Sequence, residues 1–213
     1  MRDFKCAVFD LDGTLLDSTL VWSEVDENFF NRRGLTQPPG YAKAISPMGF
    51  ERAAVYTIER FNLKETPEQV MAEWNDEAQR MFASRVFLKP GAAEYLDLLK
   101  QKGVKLCIAT ASHRELFVPA LQNNGVFHLF DYITTLKEVK RGKGFPDIYL
   151  ESAKKAGESV EDCVVFEDLY EGIKGSKAGG FYTVAVYDKN SEDDTEKIKS
   201  ISDKFIYDFN ELI

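Results

Sequence analysis

The chain has 213 residues, 44% hydrophobic and 29% charged, with 14 Gly and 7 Pro; this excludes disordered and collagen-like polymers and allows one sizeable core, with or without a smaller inserted domain. The 27 Lys and Arg stand against 35 Asp and Glu, a formal net charge of −8 with no local basic stripe, so a nucleic-acid partner is not expected. No uncharged apolar run reaches the roughly 18–20 residues that cross a bilayer, and acids interrupt the opening MRDFKCAVFDLDG where a signal peptide is apolar, so no membrane partner is expected and the chain reads as cytoplasmic.

The first element is a continuous apolar run, KCAVFD (5–10). Such runs, in place of strict alternation, mark parallel strands covered on both faces. From Asp17 to Leu88 no further strand pattern follows. Leu20 to Arg33 repeats Val21, Val25 and Phe29 at a spacing of four, and Thr66-Pro67-Glu68-Gln69 is a capping box leading into Val70, Trp74, Ala78 and Met81. Residues 17–88 therefore read as a helical insertion whose aromatic residues pack on one another. Between its helices, Gln37 to Arg52 (QPPGYAKAISPMGFER) reads as a turn-rich loop suited to substrate selection.

The strand and helix alternation then resumes. A helix over Gly91–Lys102 closes at Gly103 and leads to the strand VKLCIAT (104–110). A helix over Ser112–Asn124 is expected from the Ser112/Glu115 capping box, although Pro119 falls inside it. The weaker strand YITT (132–135), a helix over Pro146–Ala156, the strand CVVFED (163–168), a helix over Gly172–Ala178 and the strand FYTVAV (181–186) follow. SEDDTEK (191–197) reads as a solvated loop or helix start. Cys6, Cys107 and Cys163 each lie inside an apolar run and read as small core residues, not as disulfides or metal ligands. His113 and His128 are not spaced as a ligand pair and read as surface or packing residues.

This order predicts an α/β fold: a doubly wound, mainly parallel sheet over residues 1–16 and 89–213, carrying a helical cap over 17–88. Ligands of such sheets bind beyond the carboxyl ends of the strands. The polar groups at those ends are Asp10 and Asp12, Thr110 and Ser112, and Glu167 and Asp168, with Lys143 in a glycine-flanked loop before PDIYL. Carboxylates gathered at one site repel one another unless a cation joins them, and an all-oxygen set favours Mg²⁺.

FDLDGTLLDS resembles the first motif of the haloacid dehalogenase-like (HAD) hydrolases. Thr110 at a strand end, Lys143 ahead of Pro146-Asp147, and the acidic pair in FEDLYEGIKGSKAGG follow in that family's order. The insertion is similar to the helical cap of the phosphatase and β-phosphoglucomutase branch; Gly144 departs from the proline that often follows the lysine there. The resemblance implies that Asp10 attacks phosphorus and that Asp12 is the general acid and base, its carbonyl also a metal ligand. It implies Asp168 as the second metal anchor, Glu167 as a ligand or a group behind one, and Lys143 neutralising Asp10 and the phosphoryl oxygens. Thr110, with Leu11, Ala111 and Ser112, would hold the phosphoryl group. In the cap, Arg52 is the candidate for substrate choice.

The leading expectation is a Mg²⁺-dependent phosphatase of a small phosphorylated metabolite, such as a sugar phosphate, working through an aspartyl-phosphate. The alternative is a phosphomutase of the β-phosphoglucomutase type, which needs a second cationic phosphate site. Arg32, Arg33, Lys43, Arg52, Arg60, Arg80 and Arg85 are the cap cations available for one, but Trp22 stands where related mutases carry a histidine. Haloalkanoic dehalogenation has no use for the acidic metal set, and phosphonatase chemistry would call for a Schiff-base lysine that neither Lys43 nor Lys64 is marked to be. A degenerate, non-catalytic phosphometabolite-binding protein is disfavoured because the catalytic groups are all retained.

Overall fold

The computed structural model describes residues 3–45, 48 and 50–213, without the side chains of Thr19 and Lys43. It contains six strands: β1 (Cys6–Phe9), β2 (Lys105–Thr110), β3 (Tyr132–Thr135), β4 (Cys163–Glu167), β5 (Tyr182–Val186) and β6 (Lys204–Ile206). They form one all-parallel sheet in the order β3-β2-β1-β4-β5-β6. The order reverses at β1, so the crevice beyond the carboxyl ends of β1 and its neighbours is where such a sheet receives a ligand. The sequence reading finds five of the strands. It misses β6, whose three residues on the sheet edge are too few to show a pattern.

The chain divides into two compact units, Met1–Ser18 with Val86–Ile213, and Thr19–Arg85. The second is helical, with α1 (Thr19–Asn31), α2 (Tyr41–Ile45), α3 (Phe50–Phe61) and α4 (Pro67–Arg85). Thr66 starts α4 as its capping box predicts: the Thr66 amide donates to Gln69 Oε1 at 2.8 Å, and the Gln69 amide donates to Thr66 Oγ1 at 3.4 Å. Aromatic rings fill the interior, Phe30 meeting both Tyr41 and Phe61 edge-to-face at 4.8 Å and Phe29 lying tilted at 5.4 Å from Trp74. The loop expected over 37–52 is helical in part. Tyr41 anchors α2 by complete burial and a 2.7 Å hydrogen bond with Thr57, and Arg52 belongs to α3. Ser46, Pro47 and Gly49 of that segment lie outside the described residues.

In the sheet unit, α5 (Ala92–Gln101), α6 (Arg114–Asn123), α7 (Asp147–Ala156), α8 (Tyr170–Ala178) and α9 (Thr195–Ile201) complete the layers. Strand alternation divides the core between two faces. Cys6, Val8, Cys107, Cys163 and Val165 pack with Ile148, Tyr149 and Ala153 of α7, while Phe9 stacks on Phe166 at 4.4 Å and Tyr95 of α5 meets Phe166 at 5.8 Å. All three cysteines are free and buried. The ends of the insertion are held side by side in this unit: the Asp17 amide donates to Phe87 O and the Lys89 amide to Leu15 O, both at 2.9 Å, around a Leu16–Leu88 bridge. Lys89 is itself buried and ion-paired with Asp188 at 2.9 Å.

The helix expected from Ser112 begins instead at Arg114. The Ser112 hydroxyl is drawn off to a carboxylate 100 residues away in sequence, so the expected capping box does not form. Pro119 stays within α6 at its sixth position, where, lacking an N–H, it leaves the Glu115 carbonyl without the amide donor four residues on. The helix expected from Gly172 starts earlier, at Tyr170.

Candidate active site

The Asp10 amide donates to Phe166 O at 3.0 Å, which prolongs the β1–β4 pairing and sets the Asp10 side chain at the strand end. Just beyond it the chain turns tightly. Leu11 O accepts from the amides of Thr14, Leu15 and Leu16 at 3.1, 3.0 and 2.8 Å, and Gly13 adopts φ +82° with its Cα against the Asp168 carboxylate. Any Cβ at Gly13 would be both strained and in collision with Asp168. The turn also directs Thr14 Oγ1 to Asp168 Oδ1, at 2.9 Å.

Asp10, Glu167 and Asp168, all buried, each offer a carboxylate oxygen within 4.8 Å of the others. Lys143 Nζ bridges two of them, bonded to Asp10 Oδ1 and, at 2.7 Å, to Glu167 Oε1. Burial pushes the Asp10 carboxyl up, against the pull of Lys143 and with the push of Glu167. Asp168 is likewise driven well up by burial and then by the Glu167 and Asp10 charges. Burial alone would lower the Lys143 ammonium, but Asp10 and Glu167 hold it above its ordinary value. One ammonium thus faces three carboxylates, and a divalent cation fits that donor set: hard oxygen ligands with uncompensated negative charge.

The three acids are not equivalent. Glu167 Oε1 accepts from Lys143 and, at 2.9 Å, from Tyr149 Oη; Oε2 accepts from the amides of Asp168 and Leu169 at 3.1 and 3.3 Å. Its acceptor positions are filled by protein donors. Asp12 is held separately: Ser18 Oγ donates to Oδ1 at 2.6 Å and Ser112 Oγ donates to Oδ2. Thr110 is fully buried, and its Oγ1 accepts from the Ser112 amide at 3.0 Å, shaping the turn in which Ala111 is exposed.

With this geometry in place, comparison with known proteins is informative. Residues 4–180 match the family described as haloacid dehalogenase-like hydrolase. The chain belongs to that family. This hydrolase is similar to the phosphorylated carbohydrates phosphatase of Thermotoga maritima, 26% identical over 83% of this chain and 82% of the relative. It is also similar to hexitol phosphatase A of Escherichia coli, 28% identical over 92% of this chain and 88% of the relative. Among solved structures, CbbY from Rhodobacter sphaeroides in complex with phosphate superposes with a TM-score of 0.81 at 20% identity, covering 98% of this chain and 96% of that one. That likeness supports the fold.

The site therefore brings together Asp10, Lys143, Glu167 and Asp168 directly, with Asp12, Ser112 and Thr110 joined to them through the adjoining turns. Leu11 contributes a fully buried side chain and the carbonyl on which the turn closes. Arg52 lies on the exposed surface of α3 beside Glu51, Val55, Tyr56 and Glu59, within the helical unit. Three residues that hold the site together, Thr14, Ser18 and Tyr149, escape the sequence reading. Thr14 and Ser18 lie inside the quoted FDLDGTLLDS, where their positions beside the acids were the available signal; Tyr149 in PDIYL looks like one more core position.

Of the cap cations considered for a second phosphate site, four are paired with the helical unit's own acids. Arg32 binds Glu73 and Glu77, Arg33 binds Glu65 and Glu73, Arg80 binds Glu77 and Arg85 binds Glu24. Lys43 lies outside the described side chains. His113 and His128 are both exposed.

Proposed function

We propose that the chain is a divalent-metal-dependent phosphatase of small phosphorylated metabolites, with Asp10 as the phosphoryl acceptor. The observation that carries this reading is the buried Asp10–Lys143 pair at the end of β1, with a second acid, Asp12, two residues on and held by two hydroxyls. An Asp10 oxygen attacks phosphorus as the ester P–O bond breaks, and Asp12 in its acid form gives a proton to the departing oxygen. As carboxylate, Asp12 then takes a proton from the water that attacks the aspartyl-phosphate. The P–O bond to Asp10 breaks, and the carboxylate and inorganic phosphate are regenerated.

Lys143, with a third N–H left after its bonds to Asp10 and Glu167, is set to receive a phosphoryl oxygen. Asp10, Asp168 and the Asp12 carbonyl are the groups proposed to hold the metal, with the Glu167 carboxylate behind Lys143. Bound there, Mg²⁺ supplies charge neutralisation for the phosphoryl oxygens. Thr110 and the amides of Leu11, Ala111 and Ser112 complete the proposed phosphoryl seat.

The names of the two curated relatives point to phosphorylated carbohydrates and sugar alcohols as the substrate class. Arg52 is the residue proposed to rank them. The pairing of Arg32, Arg33, Arg80 and Arg85 within the helical unit supports hydrolysis over mutase chemistry, because it removes cations a second phosphate would need. The test is a screen of sugar and polyol phosphates with Mg²⁺, following both released phosphate and isomerised product. Phosphate release is expected; isomerisation without release would replace the phosphatase by a mutase.

A further inference from the structure

We infer that Tyr149 is a positioning residue for phosphoryl transfer, its buried hydroxyl fixing Glu167 so that Glu167 aims Lys143 at Asp10. This rests on the reading of Asp10 and Lys143 given above. Tyr149 lies on α7, five residues beyond the loop turn at Gly144, fully buried among Cys6, Val8, Ala109 and Phe181. In that apolar setting its hydroxyl donates to Glu167 Oε1 at 2.9 Å, the same oxygen that Lys143 Nζ approaches at 2.7 Å. Burial and the neighbouring Glu167 charge hold the Tyr149 hydroxyl in its protonated, donating form.

The geometry leaves Glu167 no freedom to do anything else. The Asp168 and Leu169 amides fill its other oxygen, and Gly172 of α8 comes so close that a Cβ there would fall on the carboxylate. The Lys143 loop is held from the far side as well, its carbonyl lying where a Cβ on Gly175 would stand. Within this frame the tyrosine supplies the second donor to Oε1, so that Lys143 is shared between Glu167 and Asp10 and is not drawn fully onto Glu167. A phenylalanine in its place would keep the ring packing and leave a buried carboxylate lone pair without a donor. Among the described residues the donor already on that oxygen is the Lys143 ammonium, and a closer approach to Glu167 would carry it away from Asp10.

The test compares Tyr149→Phe with Phe181→Leu, whose ring meets the Tyr149 ring edge-on at 6.3 Å, using an aryl phosphate at saturating Mg²⁺. Loss of a partner behind a functional group typically costs ~10–100-fold. Tyr149→Phe is expected to lower kcat by about tenfold or more, with KM changed less than about twofold, and to have no further effect in a Lys143→Met background. Phe181→Leu is expected to lower the thermal midpoint and leave kcat in place. The rise in thermal midpoint given by inorganic phosphate should also be smaller in Tyr149→Phe than in wild type.

Wild-type kcat in Tyr149→Phe, an equal loss in the Lys143→Met background, or an equal loss in Phe181→Leu would each overturn the inference while leaving the phosphatase reading intact. If wild type releases no phosphate from any ester, the phosphatase reading fails instead. The phosphate-induced shift then decides the inference alone: a smaller shift in Tyr149→Phe supports it and an equal one overturns it.

Discussion

In the helical unit, partly buried arginine meets carboxylate at close range: Arg33 reaches Glu65, Glu73 and the Phe29 carbonyl while its guanidinium lies 3.7 Å over the Phe29 ring. At the carboxyl end of β1, by contrast, three buried carboxylates cluster about a single lysine that is bonded to two of them. Both arrangements exploit the same attraction, but only the first is closed on itself. The arginine network is balanced and adds to the fold; the carboxylate cluster is left with unanswered charge, which is a liability for stability and a demand for a cation and a phosphoryl group. A site can thus be recognised by which of two clusters the fold leaves unneutralised.

The largest expected effect comes from removing the acceptor. Asp10→Asn should lower phosphatase turnover by at least ~10³-fold, and because it deletes one of the three clustered charges, the thermal midpoint should hold or rise. Near-normal turnover would overturn the assignment of Asp10. Next, dialysis against a chelator should remove activity, with Mg²⁺ restoring it and Ca²⁺ restoring little because of its larger, looser coordination shell. Mg²⁺ should also raise the thermal midpoint of wild type but not of Asp168→Asn, a readout independent of turnover.

Asp26 is where the helical unit departs from its own rule. It is 9% exposed on α1, with no hydrogen-bond partner among the described residues, and burial pushes its carboxyl up to about 7. A carboxyl with a raised folded pKa is bound to its proton more tightly in the folded state, so its penalty is absent in acid and grows as pH rises from the ordinary carboxylate range through about 7. Asp26→Asn should therefore stabilise the protein at pH 8, on the order of 2–4 kcal/mol, with the gain shrinking as pH falls. Denaturation curves at pH 8 and pH 5 giving the same gain would contradict this. The smallest effect is expected for Arg33→Ala, about 1 kcal/mol after solvent screening of its partly exposed partners, read as a lower denaturation midpoint with turnover of an aryl phosphate retained.

Most strands were legible because a strand covered on both faces must be apolar throughout, as AVF in β1 and VVF in β4 are. The acids at their ends were legible because each follows directly on an apolar run, Asp10 on β1 and Asp168 on β4; that β1 and β4 are neighbours is shown by the sheet order. What escaped depends on contacts distant in sequence. Ser112 looks like a helix cap until Asp12 takes its hydroxyl, and Tyr149 looks like core until Glu167 is placed over it. Periodicity registers whether a side chain is apolar enough to be buried and is blind to the single polar atom at its tip.

The pairing of Leu15–Asp17 with Phe87–Lys89 has a consequence for chain architecture. From the standpoint of the sheet unit, residues 19–85 are the contents of a hairpin whose two legs are already tied. Loop-closure entropy grows only slowly with loop length, each doubling costing about 0.6 kcal/mol, so exchanging residues 19–85 for a brief turn lowers what closure asks of the legs by about 2–3 kcal/mol. Joining Ser18 to Val86 through a brief Gly/Ser turn should leave a shortened chain that folds, with the buried Lys89–Asp188 pair still locking the returning leg. The insertion site is thus a port, and helical contents can be exchanged there without redesigning the sheet.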